Sequence, residues 1–224
     1  MAAKPVRPRD AASLILFRQR GGRTELLIGR RHAGHSFMPQ RWVFPGGRVD
    51  PGDARVRPAT PLRAAVSARL AHCVPSPSRA HALAIAAVRE TFEEVGLLVA
   101  KPATAPASVP KGWEGFLDKG LAPALDELDF VMRAITPTFS PKRFDARFFI
   151  ADADKAEGKL AGSGELEEIQ WFSVEEAIGL PLADVTEAVV RQVQRVLSHP
   201  EERTKTDPVP LYCYRGRTRV IRGN

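Results

Sequence analysis

Two β-rich apolar runs in Ser13 to Arg31 (SLILFRQRGGRTELLIGRR) flank Gly21 and Gly22, a turn signal that predicts a β-hairpin. RWVFP, at 41–45, reads as a third, short strand. From Ala54 the composition turns to Ala, Arg and Pro, with a helix predicted over Leu62 to Ala71 and ended by VPSPS. A longer helix is predicted from about Ser78 to Val95, with Gly96 where a C-terminal cap belongs. KPATAPASVP is a loop by its Pro and Ala content, and KGWEGFLDKGLAPALDELDF reads as short helices. FVMRAITPTF, RFDARFFIADA and ELEEIQWFS are strand candidates, and Ser173 and Glu176 make a capping-box pattern for a following helix. Val185, Val189, Val193 and Val196 or Leu197 recur like the buried stripe of a helix. Strands with helices before and after them imply an α/β fold, a sheet between helical layers.

The 224 residues suffice for one well-cored domain with elaborations. Lys and Arg number 33 against 26 acids, a net +7 that draws anions without choosing among nucleotides, CoA or RNA. No aromatic RNA-binding motif or long basic stripe is present, so nucleic acid is not the expected partner. Cys73 and Cys213 stand 140 residues apart without zinc or disulfide spacing. The apolar run near the N-terminus is too brief for a signal peptide or a membrane span, and IRGN is not a peroxisomal address. The expectation is therefore a cytoplasmic protein away from membranes. His32 and His35 lack metal-ligand partners at a useful spacing and are expected to line a loop.

AAVRETFEEVGLL places Glu90, Glu93 and Glu94 at i, i+3 and i+4, on one face of a helix. Like charges so placed cost a few tenths of a kcal/mol per pair, and Arg89 alone cannot neutralise three carboxylates. The face is either solvated or a platform for a hard divalent cation, which prefers oxygen ligands. Upstream, Pro45, Gly46 and Gly47 close the short strand, and glycines there allow close approach of backbone to a ligand.

Together the two fragments resemble the Nudix hydrolase signature, G-x5-E-x7-R-E-U-x-E-E-x-G-U, with Arg89, Glu90, Glu93, Glu94, Gly96 and Leu97 matching its second half. The match departs in three ways. Counting from Gly47, the first glutamate position falls on Asp53, one methylene shorter; Thr91 takes an aliphatic position; and Asp53 to Arg89 spans 36 residues, against 8 in the uninterrupted motif. The phrases Arg30 to Asp50 and Ile135 to Ala151, together with the long interruption between Asp53 and Arg89, look like the insertion-bearing branch that includes the peroxisomal coenzyme A diphosphatases.

The resemblance implies one Nudix α/β/α sandwich over 1–224, with a mixed central sheet and helical insertions at about 54–80 and 101–128 that could together form a lid. It implies Mg²⁺ or Mn²⁺ held by Glu90, Glu93 and Glu94 with the Gly46 or Gly47 carbonyl, Asp53 being a further ligand or a group behind the ligands. Arg89 is expected to orient a neighbouring carboxylate. A general base comes either from the helix, at Glu90 or Glu93, or from a later loop, where Glu165, Glu167 and Glu168 are candidates and Glu168 is the expected base. Arg30, Arg31 and Arg41 with Gly47 would meet phosphate, since guanidinium matches phosphate oxygens in pairs; otherwise they are surface arginines. In RFDARFF, Arg143, Asp145 and Arg147 alternate with Phe144, Ala146 and Phe148, so a strand there could turn its charges, Arg143 and Arg147 included, to a cleft. Trp42, Trp113 and Trp171 would stack on adenine or fill the core.

The activity implied is hydrolysis of a nucleoside diphosphate linked to another moiety, with CoA or acyl-CoA giving 3′,5′-ADP and 4′-phosphopantetheine as the leading substrate. ADP-ribose, NADH or dinucleoside polyphosphates, or a non-catalytic nucleotide-binding regulator, are the alternatives, and family members often pair as homodimers.

Overall fold

The computed structural model describes residues 6–34, 38–105, 108–110, 112–162 and 164–223; His35 lies outside them. The hairpin forms as β1 (Arg9–Arg20) and β2 (Arg23–Arg31), with Arg20 opposite Arg23 and Phe17 opposite Leu26. Leu14, Leu16 and Leu27 enter one core, while Ile15, Phe17, Leu26 and Ile28 enter a second on the other face. Burial on both faces explains why these runs read as continuously apolar.

β3 (Trp42–Val43) pairs with β2, and β4 (Gly46–Arg48) with β1. α1 (Ala64–Ala71) and α2 (Pro77–Val95) follow. The Ser76 hydroxyl accepts from the Arg79 N–H at 3.3 Å and Pro77 opens the first turn, where its missing N–H costs nothing. Gly96 ends α2 at φ 73°, its N–H donating to the Phe92 carbonyl. Ala80, Ala84 and Ala87 of α2 share the first core with Leu14 and Leu16; these small residues let helix and sheet approach closely.

β5 (Leu97–Pro102), β6 (Leu121–Pro123), β7 (Asp129–Ile135), β8 (Phe144–Asp152), β9 (Ala156–Gly158), β10 (Leu166–Ser173), α3 (Val174–Gly179), α4 (Asp184–Ser198), β11 (Leu211–Arg215) and β12 (Thr218–Arg222) complete the order. The main sheet runs β10-β2-β1-β8-β7-β11-β12, with β1 and β8 parallel, β7 and β11 parallel, and its other pairs antiparallel. α2 covers one face, and α3 and α4 the other through Ala177, Val189, Val193 and Val196. This is the expected mixed sheet between helical layers. The Ser173–Glu176 capping box is formed in both directions.

The stretch read as short helices after Lys111 instead makes two 3-10 turns, Leu117–Lys119 and Leu125–Glu127, around β6. Gly120 at φ 71° stops the first, and β6 ends at Pro123. The two segments expected to be insertions pack on each other: the Ala59 N–H donates to the Pro123 carbonyl at 2.9 Å, and Thr60 to Asp126. Beneath them Asp129, fully buried, is gripped by Arg63 from the first segment and by Arg203 from the chain after α4. Among the described residues no helix is long and apolar enough to cross a membrane.

Candidate active site

Antiparallel pairing of β4 with β1, Ser13 opposite Gly46 and Ala12 opposite Gly47, lays the glycine turn against the last turns of α2. The Gly46 N–H donates to Glu94 Oε2 at 2.9 Å. Gly46 has φ 155°, and a side chain there would also strike Ser13 and the Ala12 carbonyl. At Gly47 a Cβ would stand 2.5 Å from both Cδ and Oε2 of Glu90. Both glycines are thus required for the helix carboxylates to touch the turn.

Arg89 organises the acids from behind. It is 5 % exposed and all its donors are engaged: Nε and Nη2 with the Asp53 carboxylate at 2.9 and 3.1 Å, Nη1 with Glu90 at 3.0 Å and Glu93 at 2.9 Å, Nη2 also with the Arg48 carbonyl at 2.9 Å. Burial works against its charge, but the Asp53 hydrogen bonds and the neighbouring acids outweigh that and hold it well above the usual arginine range. Asp53 is fully buried, and its Oδ2 also accepts the Asp50 N–H at 2.8 Å. Of the two roles expected for Asp53, the geometry favours the group behind the ligands: its oxygens meet Arg89 and the adjoining turn, so it positions the arginine across the 36-residue gap.

Burial, with the charges of Glu93 and Glu165 against that of Arg89, pushes the Glu90 carboxyl up to about 7. Glu94, 3 % exposed, is pushed up to about 8 by burial, against the Gly46 hydrogen bond, and further by Glu90. Glu93 is raised too, chiefly by burial and against Arg89. Carboxylates raised in this way mark a site short of positive charge. Among the described residues no three acidic, histidine or cysteine side chains already converge as a ligand set; Glu90 and Glu93 turn to Arg89, and Glu94 to the Gly46 N–H. The donors are all oxygen, undercompensated and backed by a glycine cradle, which fits a hard divalent cation.

Of the expected phosphate ligands, Arg31 belongs here. It shares a face of β2 with Leu27, and the charges of Glu94, Glu165 and Glu90 act on it while burial lowers its pKa. Arg30 points to the opposite face, where it meets Gln40 at 2.7 Å and Glu168. Arg41 is exposed, and its carbonyl accepts the Arg31 N–H at 3.0 Å. Arg143 ties chain segments together through the Thr136 and Val6 carbonyls at 3.1 and 2.7 Å. Arg147 is buried against Asp10, Asp145 and the Cys73 carbonyl. Arg30, Arg143 and Arg147 are thus turned away from this cluster, and protein groups take up most of their donors, the Nε of Arg30 and of Arg147 excepted.

Glu168, the expected base, is paired away from the cluster. It sits at φ 50° in the bulge between Glu167 and Gln170 and pairs with Arg30. Glu165, at the start of the same segment, is the loop acid whose charge raises both Glu90 and Glu94. Sequence reasoning missed Gly112, from the second of the segments expected to be insertions: a Cβ there would be 3.5 Å from Glu93 Oε1, so this segment forms a wall beside Glu93. Trp42 and Trp113 are core residues, and Trp171 lies under Arg18, 4.2 Å from the ring centre.

A family profile described as "NUDIX domain" matches residues 79–193. "Putative nudix hydrolase 7" of Caenorhabditis elegans is 28% identical over 181 residues, covering 76% of this chain and 53% of the worm protein. The chain therefore spans about half the length of that curated relative. The crystal structure of a NUDIX hydrolase from Alicyclobacillus acidocaldarius superposes with a TM-score of 0.65 at 27% identity, covering 86% of this chain and 96% of that one.

Proposed function

The chain belongs to the NUDIX family, and from that premise we propose that it is a Mg²⁺- or Mn²⁺-dependent pyrophosphohydrolase cleaving the diphosphate of a nucleoside diphosphate joined to another moiety. The observation that carries this reading is the docking of the glycine turn on the acidic helix, with Gly46 bonded to Glu94 and Gly47 against Glu90. Glu90, Glu93 and Glu94 would hold the cation. When bound, it supplies charge neutralisation at the diphosphate and Lewis acidity.

The remaining work falls to the protein. Arg89, fixed by Asp53, orients Glu90 and Glu93. Arg31 offers positive charge to the phosphate oxygens. Glu165 accepts the proton of the attacking water as the water oxygen bonds to phosphorus and the bond to the bridging oxygen breaks, leaving two phosphorylated products. CoA or acyl-CoA, giving 3′,5′-ADP and 4′-phosphopantetheine, is the preferred substrate, supported by the branch-like phrases at Arg30 to Asp50 and Ile135 to Ala151.

Incubation with Mg²⁺ or Mn²⁺ and a panel of CoA, NADH, ADP-ribose and dinucleoside polyphosphates, with products identified by mass, tests the reading. Cleavage of one or more members inside the diphosphate is expected. No cleavage of any member, together with nucleotide binding unchanged by Glu93→Gln and Glu94→Gln, would replace the hydrolase with a nucleotide-binding regulator.

A further inference from the structure

A cleft of ≈ 930 Å³ opens beside Arg89, walled by the start of β1, the exit of β4, the end of the first insertion, the first turn of α2 and the start of β8. Five arginines and three aspartates line it. The aspartates are largely answered from within the protein. Asp10 is held by Arg79 and by Arg147, the latter at 2.6 Å; Asp145 is held by Arg133 at 2.8 and 2.7 Å and by Arg147 at 3.2 Å; Asp50 lies 4.0 Å from Arg89. Arg7, Arg9 and Arg48 are exposed and make no ion pair among the described residues. Deeper in, the buried Arg147 keeps an Nε without a hydrogen-bond partner. The cleft thus carries guanidinium groups in excess, and guanidinium meets phosphate oxygens in pairs.

Its position relates it to the carboxylate cluster. Gly47 touches Glu90, and the next residue, Arg48, lines the cleft, one strand step of about 3.4 Å further on. The far wall, at Arg79, is eleven residues before Glu90 on α2, about 16 Å along the helix axis. The basic space therefore lies within a substrate's length of the Glu90 carboxylate. We infer that this cleft is a second phosphate subsite, taking a phosphomonoester that the substrate carries outside the diphosphate being cleaved. The kinetic part of this inference rests on the hydrolase reading above; its binding part does not.

Two substrate pairs differ only in such a phosphate: CoA against 3′-dephospho-CoA, and NADPH against NADH. The wild-type protein should prefer the phosphorylated member of at least one pair by about tenfold or more in kcat/KM, equivalent to about 1.4 kcal/mol. In the triple variant Arg7→Gln, Arg9→Gln, Arg48→Gln the preference should shrink to about twofold or less, through KM for the phosphorylated member. By calorimetry without metal, adenosine 3′,5′-bisphosphate should bind the wild type more tightly than AMP does, and the triple variant should lose that advantage; Arg7→Gln alone serves if the triple variant fails to fold. A bisphosphate advantage that needs the arginines, with no probe hydrolysed, would uphold the subsite and reject the hydrolase. Hydrolysis without discrimination within either pair would do the reverse. Binding of inorganic phosphate that depends on the arginines, without any bisphosphate advantage, would make this a site for free phosphate and overturn the substrate assignment.

Discussion

Replacing Asp53 by Asn keeps the volume of the side chain and removes the charge that faces Arg89. Arg89 is 5 % exposed and meets Asp53 through two hydrogen bonds of 2.9 and 3.1 Å, so the change leaves a buried guanidinium short of its principal carboxylate. Breaking a buried pair from one side costs about 3–5 kcal/mol. Glu90, Glu93 and the Arg48 carbonyl stay in place around Arg89, which puts the expected loss near the lower end, about 3 kcal/mol. For a chain of this size that corresponds to a fall in Tm of roughly 10 °C. Urea unfolding of the wild type, Asp53→Asn, Arg89→Met and the double variant measures the coupling directly. The double variant should lose less than the sum of the singles by about 2 kcal/mol, whereas additivity within about 0.5 kcal/mol would refute the pairing. A second readout separates positioning from ligation: Mg²⁺ should still raise the Tm of Asp53→Asn. Disappearance of that increment, with the fold intact, would return Asp53 to the metal ligands.

Gly47→Ala places a methyl 2.5 Å from the Glu90 carboxylate and should push that group aside, lowering kcat by about 100-fold while circular dichroism stays native; near-wild-type turnover would contradict the cradle. Glu165→Gln should lower kcat by about 100-fold or more with little change in KM, while Glu168→Gln should not, and the opposite ranking in a steady-state assay would restore Glu168 as the base. Glu90 and Glu94, pushed up to about 7 and about 8, favour the protonated form in the folded protein, so their contribution to stability is full below about pH 4.5 and lost as pH rises through 7 to 8. In chelator, the stability difference between wild type and Glu94→Gln should therefore shift against the wild type from about pH 5 to about pH 8.5, and Mg²⁺ should remove much of that shift; a pH-independent difference by thermal melting would refute it.

The parts of the site that could be read from the sequence are those set by local geometry. Glu90, Glu93 and Glu94 share a face because helical spacing dictates it, and Gly46 and Gly47 announce close approach because they lack Cβ. Glu168 falls away from the cluster because the bulge after Glu167 shifts the register of β10, and one residue of slip exchanges the two faces of a strand. For Asp53 the sequence left ligand and supporting group both open, because its partner Arg89 lies 36 residues on, across a segment whose path no local pattern reveals. Arg143 and Arg147 do alternate with apolar neighbours as expected, with Ala146 and Phe148 packed in the second core. Their composition could not reveal that carbonyls and aspartates elsewhere in the chain take up most of their donors. β5, β9 and the closing β11–β12 hairpin went unread because short strands gain their identity from pairing rather than from their own residues.

Asp129 is fully buried at the start of β7, so the stability of that end depends on its two ion pairs, with Arg63 and with Arg203. The tail after α4 therefore acts as a clasp: amide protons of the first insertion and of the chain around Arg203 should exchange in one shared opening, although more than 100 residues separate them. Shortening the chain ahead of Arg203 would slacken a segment at the far end of the molecule's contour, and with it the scaffold on which the second insertion leans.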